Sequence, residues 1–505
     1  MTRISRRHVL AGAVALPFAP RFAHAARQPD TLTFALSSYP PNLQPWANTG
    51  TAALTVKTQL FRGLLSFGPD GKVRGELAES WERDGEQGWV FRLREAKFQN
   101  GAPVTAEDVK WTVEQIGSEK GGAYLRGQFR DVASVETPDP RTVRILTKTP
   151  IVTLPLMLAT PFAAIIAKDT LAAPVGAGPY AIASQERGVA IELQAFPSYY
   201  KPGMPKLKRI RFVAYADENA RVAALQAGDV DMIEYVPWQS MATIEADPKL
   251  KLDTVDGPYM GLAFNGGSGP FKDKRLRQAV AVAIRRDEII KAAFFGRGTV
   301  LESLPIPKIS EFYNETYAHG WKYDPDRAKK LMAEAGVGGG FACTLLSTAQ
   351  YGMHKSTAEI VQQHLGEIGI EVKLNLPDWP TRVSLGNRGQ YEFCVQGQTP
   401  DNNDPDGLSA YIDGELPPDN ARSAHLPTPR IHELLAQGRA EFDDAKRHAI
   451  YDELQKVALD VVPLAGLCWR SQGYAMRRDA QGFSNLPGGL NFYSGYSLEN
   501  LSFAA

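Results

Sequence analysis

Residues 76 to 112 read ELAESWERDGEQGWVFRLREAKFQNGAPVTAEDVKWT, a block in which several unlike structural signals follow one another without a break. Trp89, Phe91 and Leu93 alternate with Val90, Arg92 and Arg94, the period of two expected of a strand that buries one face. Asn100-Gly101-Ala102-Pro103 is turn chemistry, and Thr105 stands three residues before Asp108, close to the spacing of a capping box. The spacing predicts a helix over residues 106–116, with Gly117 stopping it. A strand, a turn and a helix make a local unit; alone they name no function.

Outward from this block, strand-like and helical runs keep alternating. LKRIRFVAY at 207–215, AALQAGDVDMIEYV at 223–236 and EIVQQHLGEIGIEVKLNL at 359–376 argue an α/β chain. Asp324 suits the cap of a helix whose first turn takes Pro325 and whose end takes Gly336. With 505 residues, 44% of them apolar, the chain can build a large core and more than one domain. Cys343, Cys394 and Cys468 are widely spaced and form no CxxC pair. Buried thiols are the favoured reading, with one disulfide left open if the compartment is oxidising.

The first 25 residues read as an export signal. Arg6 and Arg7 sit in SRRHVLAG, an apolar stretch runs from Val9 to Ala19, and Ala23-His24-Ala25 is a small-x-small cleavage site. This resembles a twin-arginine leader, and Arg21 just before the cleavage site is typical of that route. An ordinary Sec leader that happens to carry two arginines is the alternative. The apolar stretch is interrupted by Pro17 and is too short to span a bilayer. Cleavage is expected after Ala25. No cysteine follows the stretch before Cys343, so the product is expected to be a soluble periplasmic protein without a lipid anchor. Without the four leader arginines the chain carries 52 basic against 56 acidic side chains, a formal charge of −4. Nothing here resembles the clustered basic footprint of a nucleic-acid binder.

LAESW, WVFRLREAKFQNG and APVTAEDVKWT together resemble the signature region of the family-5 extracytoplasmic solute-binding proteins, which serve peptide- and nickel-type ABC importers. PVGAGPY at 174–180, LRQAVAVAIRRDEIIKAAFFG at 276–296, YDPDRAKKLMAEAGV at 323–337 and IYDELQKVALDVVPLAGL at 450–467 follow in the expected order. The resemblance implies a two-lobed periplasmic binding protein of the type II, cluster C-like kind, with an extra subdomain in lobe one. Carried onto this chain, lobe one combines residues 26–57, 174–263 and 477–505, the extra subdomain is 58–173, and lobe two is 264–476. Crossings fall near Leu262–Asn265 and Tyr474–Arg477. The implied partners are a small-molecule or short-peptide ligand and the permease subunits of an inner-membrane ABC transporter, served by a monomer without a cofactor.

Peptide-binding members place an aspartate in a pattern like GWxxDxxDP to receive the ammonium group of a peptide. GQTPDNNDPDG matches it with Asp401 at that position. A carboxylate suits the task, because a buried ammonium is costly unless it meets an opposite charge; the same loop chemistry would also suit a turn cap. The tryptophan of the pattern is Gln398 here, which removes an apolar wall, adds an amide and makes a more polar ligand plausible. Trp379 matches an aromatic that lines the cavity of oligopeptide binders, with packing at a strand end as the alternative. Gly397 and Thr399 would offer backbone groups to a peptide main chain. For a ligand carboxylate the candidates are His354, near a family position for a histidine, and Arg382 or Arg470, whose guanidinium could grip it with two hydrogen bonds. On lobe one, Ser37, Ser38 and Tyr39 end the first strand, where the resemblance places ligand-contacting backbone.

An exported hydrolase is the rival, yet the sequence holds neither HExxH nor GxSxG. A metalloprotein is the second rival; its histidines would need to cluster, and the eight present are dispersed. Capture of a solute without chemistry is therefore the expected function, and an opine, an oligosaccharide, a nickel complex or haem is the alternative cargo on the same fold.

Overall fold

The computed structural model describes residues 30–118 and 122–504. The leader expected at 1–25 lies outside them. Two long strands, Leu250–Phe264 and Ala465–Arg477, pair antiparallel at the centre of an eleven-stranded sheet. On one side follow Phe393–Gln398, Phe341–Leu346 and Ile370–Asn375; on the other Met232–Ile233, Thr31–Leu36, Arg209–Ala214, Ala190–Ala195 and Tyr180–Glu186, and the eleventh strand, Gly298–Val300, pairs with Ala465–Arg477 off this path. One backbone ladder thus runs through both lobes of this mixed α/β protein.

The cores nevertheless separate. One draws on Leu32 to Met232 and on Tyr474 to Leu501, the other on Tyr259 to Trp469. The two long strands therefore change surroundings between Leu250 and Tyr259 and between Trp469 and Tyr474. Between Asp256 and Tyr259 the register shifts, as at a bulge, where a strand bends and twists.

The opening block folds as its spacing predicts. Gly88–Leu93 is a strand in a four-stranded antiparallel sheet with Ala78–Asp84, Thr142–Thr147 and Val132–Asp139. Phe91 and Leu93 are buried, whereas Trp89 is only half-buried, with its indole N–H donating to the carbonyl of Ile151 at 3.0 Å. The helix runs Ala106–Gly117. At its start the Thr105 N–H donates to Asp108 Oδ2 at 2.9 Å and the Thr105 hydroxyl to the same oxygen at 2.6 Å. Asp108 Oδ1 accepts from the Lys168 N–H at 2.9 Å, so the cap also ties the helix to the following chain. The sheet and helix share one continuous core with the first lobe.

PVGAGPY has a packing reason. A Cβ on Gly176 would stand 2.1 Å from the carbonyl oxygen of Leu60, and one on Gly178 2.3 Å from that of Gln59. Only glycine lets this segment lie on the end of the helix Thr51–Leu60. The three thiols are free and buried, and burial pushes Cys343 and Cys468 up to about 12. No helix among the described residues is long and apolar enough to cross a membrane, and no cluster of His, Cys, Asp or Glu there could hold a metal.

Candidate ligand-binding cleft

The second lobe's wall is built on the strand Phe393–Gln398, which lies parallel to Phe341–Leu346 and antiparallel to Leu250–Phe264. With neighbours on both edges its residues Phe393 to Gln396 are buried, as expected of a central strand. Gly397 is where the helix Gly352–Gly366 comes closest: a Cβ there would stand 3.0 Å from Met260 Sδ and 3.1 Å from His354 Nε2. The helix buries His354, Thr357, Ala358, Val361 and Leu365, a stripe at helical spacing that presses His354 onto the strand.

His354 is 3% exposed and its Nδ1 has no hydrogen-bond partner. Burial, then the nearby charges of Arg382 and Arg470, hold it down to about 3, so it is a neutral imidazole at any physiological pH. Trp379 opens the helix Trp379–Asn387, capped by Asp378, rather than ending a strand. Its ring lies 5.6 Å from that of His354 and 5.3 Å from that of Tyr351. One turn on, Arg382 places its guanidinium 5.4 Å from the Trp379 ring. Arg382 Nη1 donates to Asn420 Oδ1 at 3.0 Å and Nη2 to the Val395 carbonyl at 2.8 Å, while Nε is buried and unpartnered.

Arg470, on the strand Ala465–Arg477, is 3% exposed. Its Nη1 lies 3.3 Å from the hydroxyl of Tyr235 and 3.0 Å from Met353 Sδ, and its Nε is buried without a partner. Neither Arg382 nor Arg470 pairs with a carboxylate among the described residues. Burial takes both arginines out of bulk water, and two buried guanidiniums without an anion are costly.

Tyr235 reaches Arg470 from the first lobe with a φ of 53°, a left-handed conformation that costs a non-glycine residue about 1 to 3 kcal/mol. Arg221 holds it there: Nη2 donates to the Tyr235 carbonyl at 3.0 Å and Nε to the Glu234 carbonyl at 3.2 Å. The Glu234 carboxylate accepts from the Ser37 N–H at 3.0 Å and from the Thr55 hydroxyl at 2.9 Å. The turn after the first strand is therefore fixed by the segment that supplies Tyr235.

Asp401 is half-buried and accepts a 2.9 Å hydrogen bond from the hydroxyl of Tyr124, which packs on the first lobe's core. No cation is paired with it among the described residues. Burial pushes its carboxyl up to about 6, against the lowering effect of the Tyr124 hydrogen bond. The other acids of its loop are compensated, Asp404 by Arg447 at 2.8 Å and Asp406 by Arg439 at 2.6 Å.

The structure gathers His354, Trp379, Arg382, Gly397 and Arg470 on one wall. Gln398 ends the strand beside them, half-buried, its amide free of hydrogen bonds among the described residues. Thr399 instead bridges the lobes, its hydroxyl donating to the Gly489 carbonyl at 3.2 Å. Ser38 is exposed, and the Tyr39 hydroxyl accepts from Gln185 Nε2 at 2.7 Å, which ties that ring to its own lobe. Tyr124, Tyr235 and Tyr351 escaped the sequence reading. Each is a lone aromatic in a segment without a motif, and only the fold brings it to the cleft.

A two-lobed α/β scaffold with unpaired charges between its lobes defines a solute-binding protein. The chain matches the bacterial extracellular solute-binding proteins of family 5 over residues 72–417, and it belongs to that family. The glutathione-binding protein GsiB of Escherichia coli K12 is 27% identical over 517 residues, 98% of each chain. AgaA of A. tumefaciens R10, solved in complex with agropinic acid, is 40% identical with a TM-score of 0.85, covering 94% of this chain and 99% of AgaA. DppA of Helicobacter pylori, solved with the peptide STSA, shares the fold at 20% identity and a TM-score of 0.81, over 94% and 98% of the two chains.

Proposed function

We propose that this protein is the periplasmic binding component of an ABC importer, which captures a small peptide-like solute between two closing lobes and hands it to a membrane permease without chemical turnover. One observation carries the reading. The cleft holds a carboxylate without a cation, Asp401, and guanidiniums without an anion, Arg470 and Arg382. A ligand with an ammonium at one end and a carboxylate at the other supplies both missing partners.

Export through the leader, with cleavage after Ala25, would put the protein where relatives named as periplasmic binding proteins work. Lobe one would comprise 26–57, 174–263 and 477–505 beside the subdomain 58–173, and lobe two 264–476; the change of core supports crossings a few residues earlier on each strand. A second reading, an opine-type acid as cargo, is favoured by the 40% identity to AgaA and its agropinic acid. Thermal-shift screening of the mature protein against dipeptides, longer peptides, opines, oligosaccharides and Ni²⁺ tests both, because a specific ligand stabilises only the folded state. A peptide-like or opine hit is expected; turnover of the hit would overturn the reading in favour of an enzyme.

A further inference from the structure

We propose that the cleft selects for a solute of net charge −1, one that brings one more acidic group than ammonium group. This rests on the reading of the cleft as the ligand site and adds the charge of the cargo to it.

The inference follows from a count of formal charges that the fold leaves open. Arg470 and Arg382 flank His354 and are buried without a carboxylate. His354 adds no charge, since burial and then both guanidiniums oppose its protonation, but its unpartnered Nδ1 offers a further polar contact. The cleft loop adds one carboxylate without a cation among the described residues, Asp401. Asp404 and Asp406 are already balanced by Arg447 and Arg439. Glu234 lies in the field of the buried Arg221. Asp256 is hydrogen-bonded by the hydroxyls of Thr299 and of Ser471, the strand neighbour of Arg470 whose side chain leaves on the opposite face. Asp419 is exposed, where water screens it.

The site is thus one positive charge in excess. A neutral dipeptide, with one ammonium and one carboxylate, would satisfy Asp401 and one guanidinium and leave the second buried without an anion. An acid with two carboxylates and one ammonium balances all three groups. The polar character of the wall agrees, for Gln398 presents a free amide where an indole would have made an apolar face. Arg382 need not touch the ligand, because a charge in a poorly hydrated site acts over several ångströms.

Matched solutes test the charge alone. Glutathione and alanylglutamate each carry net −1; glutathione glycyl ethyl ester and alanylglutamine are their neutral counterparts. Calorimetry at pH 7.5 should show each acid binding at least tenfold more tightly than its counterpart, a preference that shrinks below about twofold in Arg470→Met. Arg382→Met serves as the second variant; Arg382→Gln, which removes the charge but keeps an N–H donor for the Asn420 and Val395 contacts, replaces it if loss of those contacts prevents folding. A neutral member binding as well as its acid, with Arg470→Met still abolishing both, overturns the charge rule and leaves the cleft reading standing. Acid binding unchanged in both variants overturns the cleft reading as well. No binding of either acid at millimolar concentration also overturns the proposal.

Discussion

Two of the groups of buried charge in this molecule differ in one respect. In the first lobe Arg62, Lys201, Glu76 and Glu499 form a closed set: Arg62 Nη2 meets Glu499 at 2.9 Å, and Lys201 Nζ meets Glu76 at 2.9 Å and Glu499 at 2.6 Å. Tyr199 donates to Glu499 at 2.6 Å and Tyr200 to Glu76. Two cations face two anions, and nothing is left over. In the cleft Arg470, Arg382 and Asp401 meet no opposite charge at all. Self-sufficient charges hold chain segments together, here residues 62–76 to 199–201 and 499; buried Arg277 and Arg286 are satisfied by backbone carbonyls, whereas Arg470 and Arg382 each keep an unpartnered Nε, which leaves room for a ligand.

The carboxyl groups report the same contrast with opposite signs. Burial would push Glu76 up, but Lys201 and Arg62 outweigh it and hold it down to about 2. Asp401 has no such partner, and burial pushes it up to about 6. A carboxyl lowered by folding contributes stability that is present above its unfolded pKa near 4.5 and is lost as pH falls toward 2. A raised one does the reverse: the empty protein loses stability as pH climbs from about 4 to about 6.

The largest effect should come from opening the closed set. Arg62→Met leaves two buried carboxylates with Lys201 alone, and chemical denaturation is expected to show a loss of about 3 to 5 kcal/mol. A loss below about 1 kcal/mol would mean that the two groups do not differ in kind. In the cleft the balance should tip the other way. Arg470→Met is expected to leave the stability of the empty protein within about 1 kcal/mol of wild type, or to raise it, while weakening an acidic ligand by about 2 to 5 kcal/mol. Asp401→Asn should remove a penalty of about 1 to 3 kcal/mol at pH 7.5, so the empty variant melts higher than wild type above pH 6 and alike near pH 4. Asp401→Ala should in addition abolish tight binding of any ligand with a free α-amino group. Smallest is the helix cap of the opening block: Thr105→Ala should cost about 1 kcal/mol without touching ligand affinity.

Much of the scaffold is legible in the chain because its signals are local. Thr105 and Asp108 mark a helix start from adjacent turns, Asp324 caps the helix Pro325–Glu334, and Phe91 and Leu93 show a buried strand face. The PVGAGPY glycines can be seen in the sequence, but the carbonyls of Gln59 and Leu60 that require them cannot. The site is less legible for the same reason. Residues 397 to 401 stand out as a motif, whereas Tyr124 and Tyr235 reach the cleft from segments about 280 and 160 residues away in sequence, and nothing local marks them. Trp379 was readable as an aromatic of the cavity but not as a helix start, because Asp378 and Pro380 serve equally well at a turn. Whether a buried arginine is paired cannot be read from a sequence at all, since it depends on which acids the fold brings near it.

The most direct measurement is isothermal titration of glutathione, alanylglutamate and agropinic acid into wild type and Arg470→Met side by side, with the melting point of each empty protein as the control for folding. At least one of these acids should bind the wild type, and it should bind the variant at least about thirtyfold more weakly although the variant melts close to wild type or higher. An acid that binds both proteins equally would contradict the assignment of the open charges to the ligand.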